Sequence, residues 1–430
     1  MRDGRAMARV PVNPAAAGPA RGNGTHPSPH ETPARARGGA ETCRPISLRL
    51  PSRLMHAIFL YNPAVVQFDY GRTHPFRLER LWLVDHLCER LGLFAGEHVA
   101  RRSFEPAVRE ALVGAHGPGY LDALETASLG LHAPAMGSLG LGSGDNPVFP
   151  ALWDYVLHTA GGSLTAAQLL LEGQAQRVFH PGGGLHHAHH DRAAGFCYVN
   201  DVVLALQRLA AAGRRIFYLD LDAHHGDGVQ TAFYGTRQVL TLSVHQDGRT
   251  LFPGTGFLHE TGEGEGEGYA VNVPLLPGMS DPEYERIWTE LVEPLLEAFA
   301  PDVLVTELGA DALLGDPLAN LELHLSTWWR FCRALAAREI PWLAVGGGGY
   351  DLSNAMRAWT LVWMAMVGAQ PPAAVPPPPE VLPSAAAGMR WPGDFWSAPA
   401  AVESPWRPGP EAIDALIADL RRRIFPHHGL

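Results

Sequence analysis

Six short apolar runs recur along the chain with helix-like stretches between them, and this alternation constrains the fold more than any other feature. The runs are 56–61 (HAIFLY), 177–179 (RVF), 216–221 (IFYLDL), 239–244 (VLTLSV), 303–308 (VLVTEL) and 342–346 (WLAVG). Amphipathic candidates fill 151–172, 200–212, 282–299 and 324–338, and a further helix is predicted at 353–367. Strands that alternate with helices pair in parallel, and parallel strands read as continuous apolar runs because helices cover both faces of the sheet. No internal repeat is visible.

In an open sheet of this kind the working residues gather beyond the carboxyl ends of the strands. Each run here is followed by polar chemistry. GGGLHHAHHD follows 177–179, DLDAHHGDG follows 216–219, HQDG follows 239–244, GAD follows 303–308 and GGGGYD follows 342–345. If those five strands are adjacent, their ends surround one pocket.

The densest of these stretches is YLDLDAHHGDG, residues 218–228. Asp220, Asp222, His224, His225 and Asp227 crowd one strand end, and so many carboxylates repel one another without a cation. Residues two apart in extended chain point the same way, so Asp222 and His224 can share an ion. Asp311 in ELGAD supplies a third ligand. Two carboxylates and one imidazole with an open position suit catalytic Zn²⁺, and Fe²⁺ fits the same set. Helix capping near residue 227 is the bland explanation, but a cap needs one carboxylate.

The run from His180 to His190 holds five histidines. Neighbours in sequence rarely bind one ion together, and a catalytic metal needs a base beside it. His186 and His187 are therefore read as bases, paired with the spare carboxylates Asp220 and Asp227 to fix tautomer and basicity. His180, His189 and His190 are expected to be ordinary solvated or hydrogen-bonded residues. The glycines of GGGGYD deliver Tyr350 to the pocket. The stretch lacks the Lys and Ser/Thr of a phosphate-binding loop, and a phenol aimed at a developing oxyanion is the better reading.

The termini stand apart. Residues 1–54 carry nine Arg and three acidic residues broken by Pro and Gly, and are expected to be a disordered leader or the product of a start read too early, with Met55 as the true start. Residues 55–370 form the expected catalytic domain. Residues 371–430 are expected to hold a Pro-rich strap, PPAAVPPPPEVLP, and a short helix over 410–423. Four separated cysteines and no CxxC pair argue against a disulfide framework or a cysteine zinc site. No apolar run could span a membrane, and a cytoplasmic location is expected. The net charge is -11, and all 33 basic residues are Arg. Beyond residue 54, 24 Arg face 41 acidic residues, a balance of -17. An acidic body disfavours nucleic acid and favours cationic partners.

The motifs GGLHHA (183–188), GFCYVND (195–201), DLDAHHGDGVQ (220–230), FPGTG (252–256), GADALLGD (309–316) and GGGGYDLSNAMRAWT (346–360) together resemble the zinc-dependent histone deacetylases, especially the bacterial acetoin-utilisation branch. The resemblance covers about residues 56–370. It implies the arginase–deacetylase α/β fold, a single domain with an eight-stranded parallel sheet. It implies metal ligation by Asp222, His224 and Asp311. His186 and His187 match the catalytic pair, backed by Asp220 and Asp227, and Tyr350 matches the carbonyl-polarising tyrosine. Gly195, Phe196, Phe252 and Leu318 match walls of a tube for an acetyl-lysine stem, with Gly348 among the substrate-binding positions. Asp145 in SGDNPVF matches a rim carboxylate that grips substrate amides. Backbone carbonyls of Asp220, Asp222 and His224, with Ser243 and Val244, match a structural K⁺ site.

The expected reaction is hydrolysis of the acetyl amide of acetyl-lysine or a related acetylated amine, such as an acetylpolyamine. A dinuclear ureohydrolase would need a carboxylate at position 226 and another at 313, where Gly226 and Leu313 stand. A non-catalytic acetyl-ligand sensor is disfavoured because every expected catalytic residue type is present.

Overall fold

The structure is a computed structural model that describes residues 55–131, 136–380, 382, 386, 389–397 and 408–430. The leader 1–54 lies outside the described residues, and so does Cys43. Eight strands form one sheet: β1 (Met55–Leu60), β2 (Val99–Arg102), β3 (Ala175–His180), β4 (Ile216–Asp220), β5 (Val239–Gln246), β6 (Ala270–Leu275), β7 (Val303–Glu307) and β8 (Trp342–Val345). Their order is β2-β1-β3-β8-β7-β4-β5-β6, and every pairing is parallel. The fold is thus an α/β single sheet of the expected kind.

Successive side chains of a strand point to opposite faces. In β4 through β8 every residue is buried, so both faces are covered. The helices are α1 (Glu79–Arg90), α2 (Pro118–Ser128), α3 (Leu152–Leu171), α4 (Asp201–Ala211), α5 (Asp227–Phe233), α6 (Asp281–Ile287), α7 (Glu293–Phe299), α8 (Leu325–Ala336), α9 (Leu352–Val367) and α10 (Pro410–Ile424). Helix α9 is buried on all sides from Asn354 to Met366, as a helix apolar around its whole circumference must be. The segment read as one helix over 282–299 is α6 and α7 joined by a π turn, Trp288–Val292. Pro294 sits just past that turn, where its missing N–H breaks the regular ladder.

The five strands whose ends carry polar motifs, β3, β8, β7, β4 and β5, are consecutive in the sheet. Their carboxyl ends are therefore neighbours along one rim. The Pro-rich segment folds against the domain: Val375 is buried, its N–H donates to Gly393 O, and the Trp391 indole donates to Pro376 O. Helix α10 packs beside β6, and His428 contacts the carbonyl of Gly268 at 2.9 Å. Among the described residues no helix is long and apolar enough to cross a membrane. Cys88, Cys197 and Cys332 are buried free thiols.

Candidate active site

Strand β4 ends at Asp220, and the chain beyond it bends so that Asp222 and His224 face Asp311, which follows β7 in a 3₁₀ turn. His224 Nδ1 lies 3.1 Å from Asp222 Oδ1 and 3.0 Å from Asp311 Oδ2. One ligand atom from each residue falls within 4.8 Å of the others, and all three residues are buried. This group can hold a metal ion. Backbone donors fix the carboxylates: Gly348 N–H donates to Asp222 Oδ2 at 2.6 Å, and Ala223 N–H to Asp311 Oδ1 at 2.9 Å. A Cβ on Gly348 would stand 2.0 Å from Asp311 Oδ2. The glycine thus lets the β8 loop press its backbone onto two carboxylates. Both backbone polar groups of Gly348 are spent this way, since its carbonyl accepts from Ala310 N–H.

The histidine loop after β3 is organised by Asp201, whose carboxylate accepts from the N–H groups of Gly184 and Leu185. That turn aims two imidazoles inward. His186 Nδ1 meets Asp220 Oδ2 at 2.9 Å, and His187 Nδ1 meets Asp227 Oδ1 at 2.8 Å. Their Nε2 atoms are 3.0 Å apart. Burial pushes the His187 imidazole down, assisted by the charge of His186, to about 4. Burial also acts to lower His186, but Glu307 first, then Asp220 and Asp222, raise it well above the ordinary value. Tyr350 projects from the β8 loop. Its ring centre is 6.3 Å from that of His224 and 5.7 Å from that of Phe196. Burial, then the charges of Asp311 and Asp222, hold the phenol well above its usual range, so it keeps its proton. Asp316 accepts the N–H groups of Tyr350 and Asp351 and so anchors that loop.

The other expected positions fall around this centre. The Phe252 ring lies 4.9 Å from that of His187. A side chain at Gly195 would run into both rings. Phe196 adopts a left-handed backbone, φ 69°, a strained state for a non-glycine, and the Tyr70 hydroxyl pins its carbonyl. His74 packs edge-on against Phe196 and bonds the Asp145 carbonyl, which sets Asp145 near that wall with its carboxylate exposed. Leu318 is half-buried, its N–H on Asp316. Ser243 pairs in register with Asp220, and Val244 follows it in β5.

The remaining histidines of the run are hydrogen-bonded, one of the two states expected of them. His189 is hydrogen-bonded, and its partner is Asp227 Oδ2 at 3.0 Å, so Asp227 serves two imidazoles. His180 is buried, with Nδ1 3.0 Å from Ser163 Oγ. The residues that sequence reasoning missed are Glu307 and Tyr218, which sit inside apolar runs, and Asp316 and Asp201, which lie in quoted motifs without a role. Glu307 is fully buried, with Oε1 3.2 Å from His186 Nδ1. His186, Asp220 and Glu307 form a second group of three close ligand atoms.

A parallel α/β sheet with an acid–imidazole triad and paired histidines at its carboxyl rim defines a metal-hydrolase class of site. The histone deacetylase domain matches residues 74–366, and the chain belongs to that family. It is 37% identical over 387 residues to acetoin utilization protein AcuC of Bacillus subtilis, covering 86% of this chain and 97% of that protein. Histone deacetylase 6 of Arabidopsis thaliana is 35% identical over 75% of this chain and 70% of its own length. Histone deacetylase B of Dictyostelium discoideum is 38% identical, with 70% and 71% covered. Membership places the chain among hydrolases of acetyl-amide bonds.

Proposed function

We propose that this chain is a metal-dependent deacetylase that hydrolyses acetyl-lysine, or a related acetylated amine such as an acetylpolyamine, to acetate and the free amine. The supporting observation is the convergence of the Asp222–His224–Asp311 triad, the His187 imidazole beside Phe252 and the Tyr350 phenol beside Phe196. Asp222, His224 and Asp311 would hold a metal ion, Zn²⁺ with Fe²⁺ as the alternative, which when bound would supply Lewis acidity toward the acetyl carbonyl and lower the pKa of water from near 16 toward about 7. His187 is neutral at physiological pH and takes the water's proton at Nε2, while Asp227 holds its Nδ1–H and sets the tautomer. Tyr350, with no hydrogen-bond partner for its hydroxyl among the described residues, donates to the developing oxyanion. His187 then returns the proton to the leaving amine.

Phe196, Phe252, Gly195, Leu318 and Gly348 line the path of the uncharged aliphatic stem, and Asp145 grips substrate backbone amides at the mouth. A structural K⁺ fits the carbonyls of Asp220, Asp222 and His224 with Ser243 and Val244. Among the described residues no hydrogen bond is accepted by the carbonyls of Asp222 or His224. Such an ion stiffens the loop that carries the triad. A dinuclear site of the ureohydrolase kind has no room for its extra ligand, since a Cβ at Gly226 would lie 2.5 Å from Asp220 Oδ2. The buried free thiols fit a reducing, cytoplasmic compartment, and the acidic body fits an enzyme that binds no nucleic acid directly.

The test is acetate release from an acetyl-lysine peptide, an acetylpolyamine and a minimal acetyl-lysine amide by Zn²⁺- and Fe²⁺-loaded protein. Turnover should need one transition metal per chain and be blocked competitively by a hydroxamate. Tight ligand binding with no acetate released under either metal would sink the enzyme reading in favour of a sensor.

A further inference from the structure

Glu307 is a buried ionisable residue at the carboxyl end of β7, an interior strand of the sheet. The β4–β7 register sets it beside Asp220. Both side chains are fully buried. The two carboxylates compete for the same two hydrogens. His186 Nδ1 lies 2.9 Å from Asp220 Oδ2 and 3.2 Å from Glu307 Oε1. The Tyr218 hydroxyl lies 2.8 Å from Asp220 Oδ2 and 2.9 Å from Glu307 Oε2. Glu307 Oε1 makes no well-formed hydrogen bond of its own. A buried carboxylate is costly unless a donor faces it, and the His186 ring nitrogen lies 3.2 Å from this oxygen.

We propose that Glu307 is a positioning residue for deacetylation and acts through His186. With Asp220 alone, the imidazole is held by one hydrogen bond and can pivot about it. A second acceptor on the other side of Nδ1 brackets the N–H and fixes the ring plane. The far nitrogen, Nε2, is then aimed at His187 Nε2, 3.0 Å away. Tyr218, tied to both carboxylates, keeps the bracket at its width. This inference rests on the deacetylase reading for its kinetic readout, but its geometric readout does not.

Glu307→Gln keeps an oxygen for Tyr218 and turns a donor toward Nδ1, so the bracket opens without loss of volume. In fully metal-loaded protein, kcat on an acetyl-lysine peptide should fall about 10- to 100-fold, the usual cost of losing a partner that orients a site histidine. KM, metal content and hydroxamate affinity should change by less than about twofold, the margin within which independent sites add. In a His186→Ala background the same substitution should change kcat by less than about twofold, because a residue acting through that ring has nothing left to act on. The downfield Nδ1–H proton resonance of His186, assigned by its loss in His186→Ala, should shift in Glu307→Gln whether or not the protein turns over a given substrate. Should Glu307→Gln fold poorly, Tyr218→Phe loosens the same bracket and should show the same dependence on His186. Equal losses in the wild-type and His186→Ala backgrounds, or an unmoved His186 resonance, would overturn the proposal. Loss of one bound ion per chain in Glu307→Gln would also overturn it and make the trio a metal site. Wild-type protein without turnover on any acetylated amine, with the resonance still shifting, would reject the deacetylase reading and leave the bracket standing.

Discussion

His186 and His187 are adjacent in sequence and almost touch at Nε2, yet their surroundings drive them apart. Three carboxylates face His186 and favour its charged form, while burial and the neighbouring charge keep His187 neutral. The opposite directions suit the proposed division, with His187 as the neutral base and His186 as the ring beside it. The residues around them divide by what they would lose. Tyr350→Phe removes a hydroxyl and leaves the triad intact, so it should retain full metal content and lose roughly 10²–10³-fold in kcat, the usual size of one oxyanion donor. Asp311→Ala removes a ligand, and elemental analysis after dialysis should find the protein largely stripped of metal. Retained metal in Asp311→Ala would move the ligand set elsewhere. His189→Ala takes one partner from Asp227 but leaves its bond to His187, so its kinetic effect should stay within several-fold, as for one hydrogen bond of ~1 kcal/mol. At this scale the sequence spoke clearly where several chemical types crowd a few positions, as in DLDAHHGDG. Glu307 and Tyr218 were silent because a single polar residue inside an apolar run reads as part of a strand. Only the β4–β7 register shows which face each residue takes.

The six strands legible as apolar runs are the six interior strands, and the two that escaped notice, β2 and β6, are the edges. The reason is physical. An edge strand has one unpaired side and tolerates residues an interior strand cannot. β2 reads VARR, with both arginines exposed, and β6 carries Pro274. The eightfold count was thus implied only by the resemblance, whereas the adjacency of the five working strands followed from the motif at each end. Loop β8–α9 depends on close approach at Gly348. A methyl group there would collide with Asp311 Oδ2, a carboxylate already bonded to Ala223, so Gly348→Ala should lose metal affinity while its thermal midpoint moves little. Unchanged metal binding would show that the loop can retreat freely. Helix α3 offers a pH test. It buries His158 against Phe104 and Phe68, and burial lowers that imidazole to about 4. Its pKa is lower folded than unfolded, so the unfolded chain binds the extra proton. Its share of stability is complete above about 6.5 and is lost as pH falls toward about 4. His158→Leu should therefore flatten the fall in denaturant midpoint between pH 6.5 and 4, and an unchanged slope would refute burial of a neutral ring.

Across the whole molecule, charge is the property that reaches furthest beyond the site. Residues 55–430 carry 24 Arg against 41 acidic residues, and none of the basic residues is Lys. Asp145 presents an exposed carboxylate near Phe196. A field of this sign raises the local concentration of cationic ligands and their rate of encounter. The stem of the substrate is a separate matter. On the proposed reading, a neutral acetylated side chain would lie along Phe196 and Phe252 at little cost, whereas a charged lysine would have to shed its hydration. Under the proposed function, the two requirements together favour a neutral acetyl-lysine set among basic residues. Peptides with Arg or Lys beside the acetyl-lysine should therefore show higher kcat/KM than acid-flanked ones at low salt. The gap should close as ionic strength rises, because the Debye length falls from ~10 Å at 0.1 M to ~3 Å at 1 M. Asp145→Asn should slow peptides more than a minimal acetyl-lysine amide, which has fewer backbone amides to hold. Since the chain has no lysine, the amine released from N-terminally blocked, Arg-flanked or acid-flanked peptides can be read by amine-reactive dye with little background from the enzyme. Four peptides at two salt concentrations decide the point. Equal rates for basic and acidic flanks at low salt would remove the steering argument and move the preferred substrate to a small, uncharged acetylated amine.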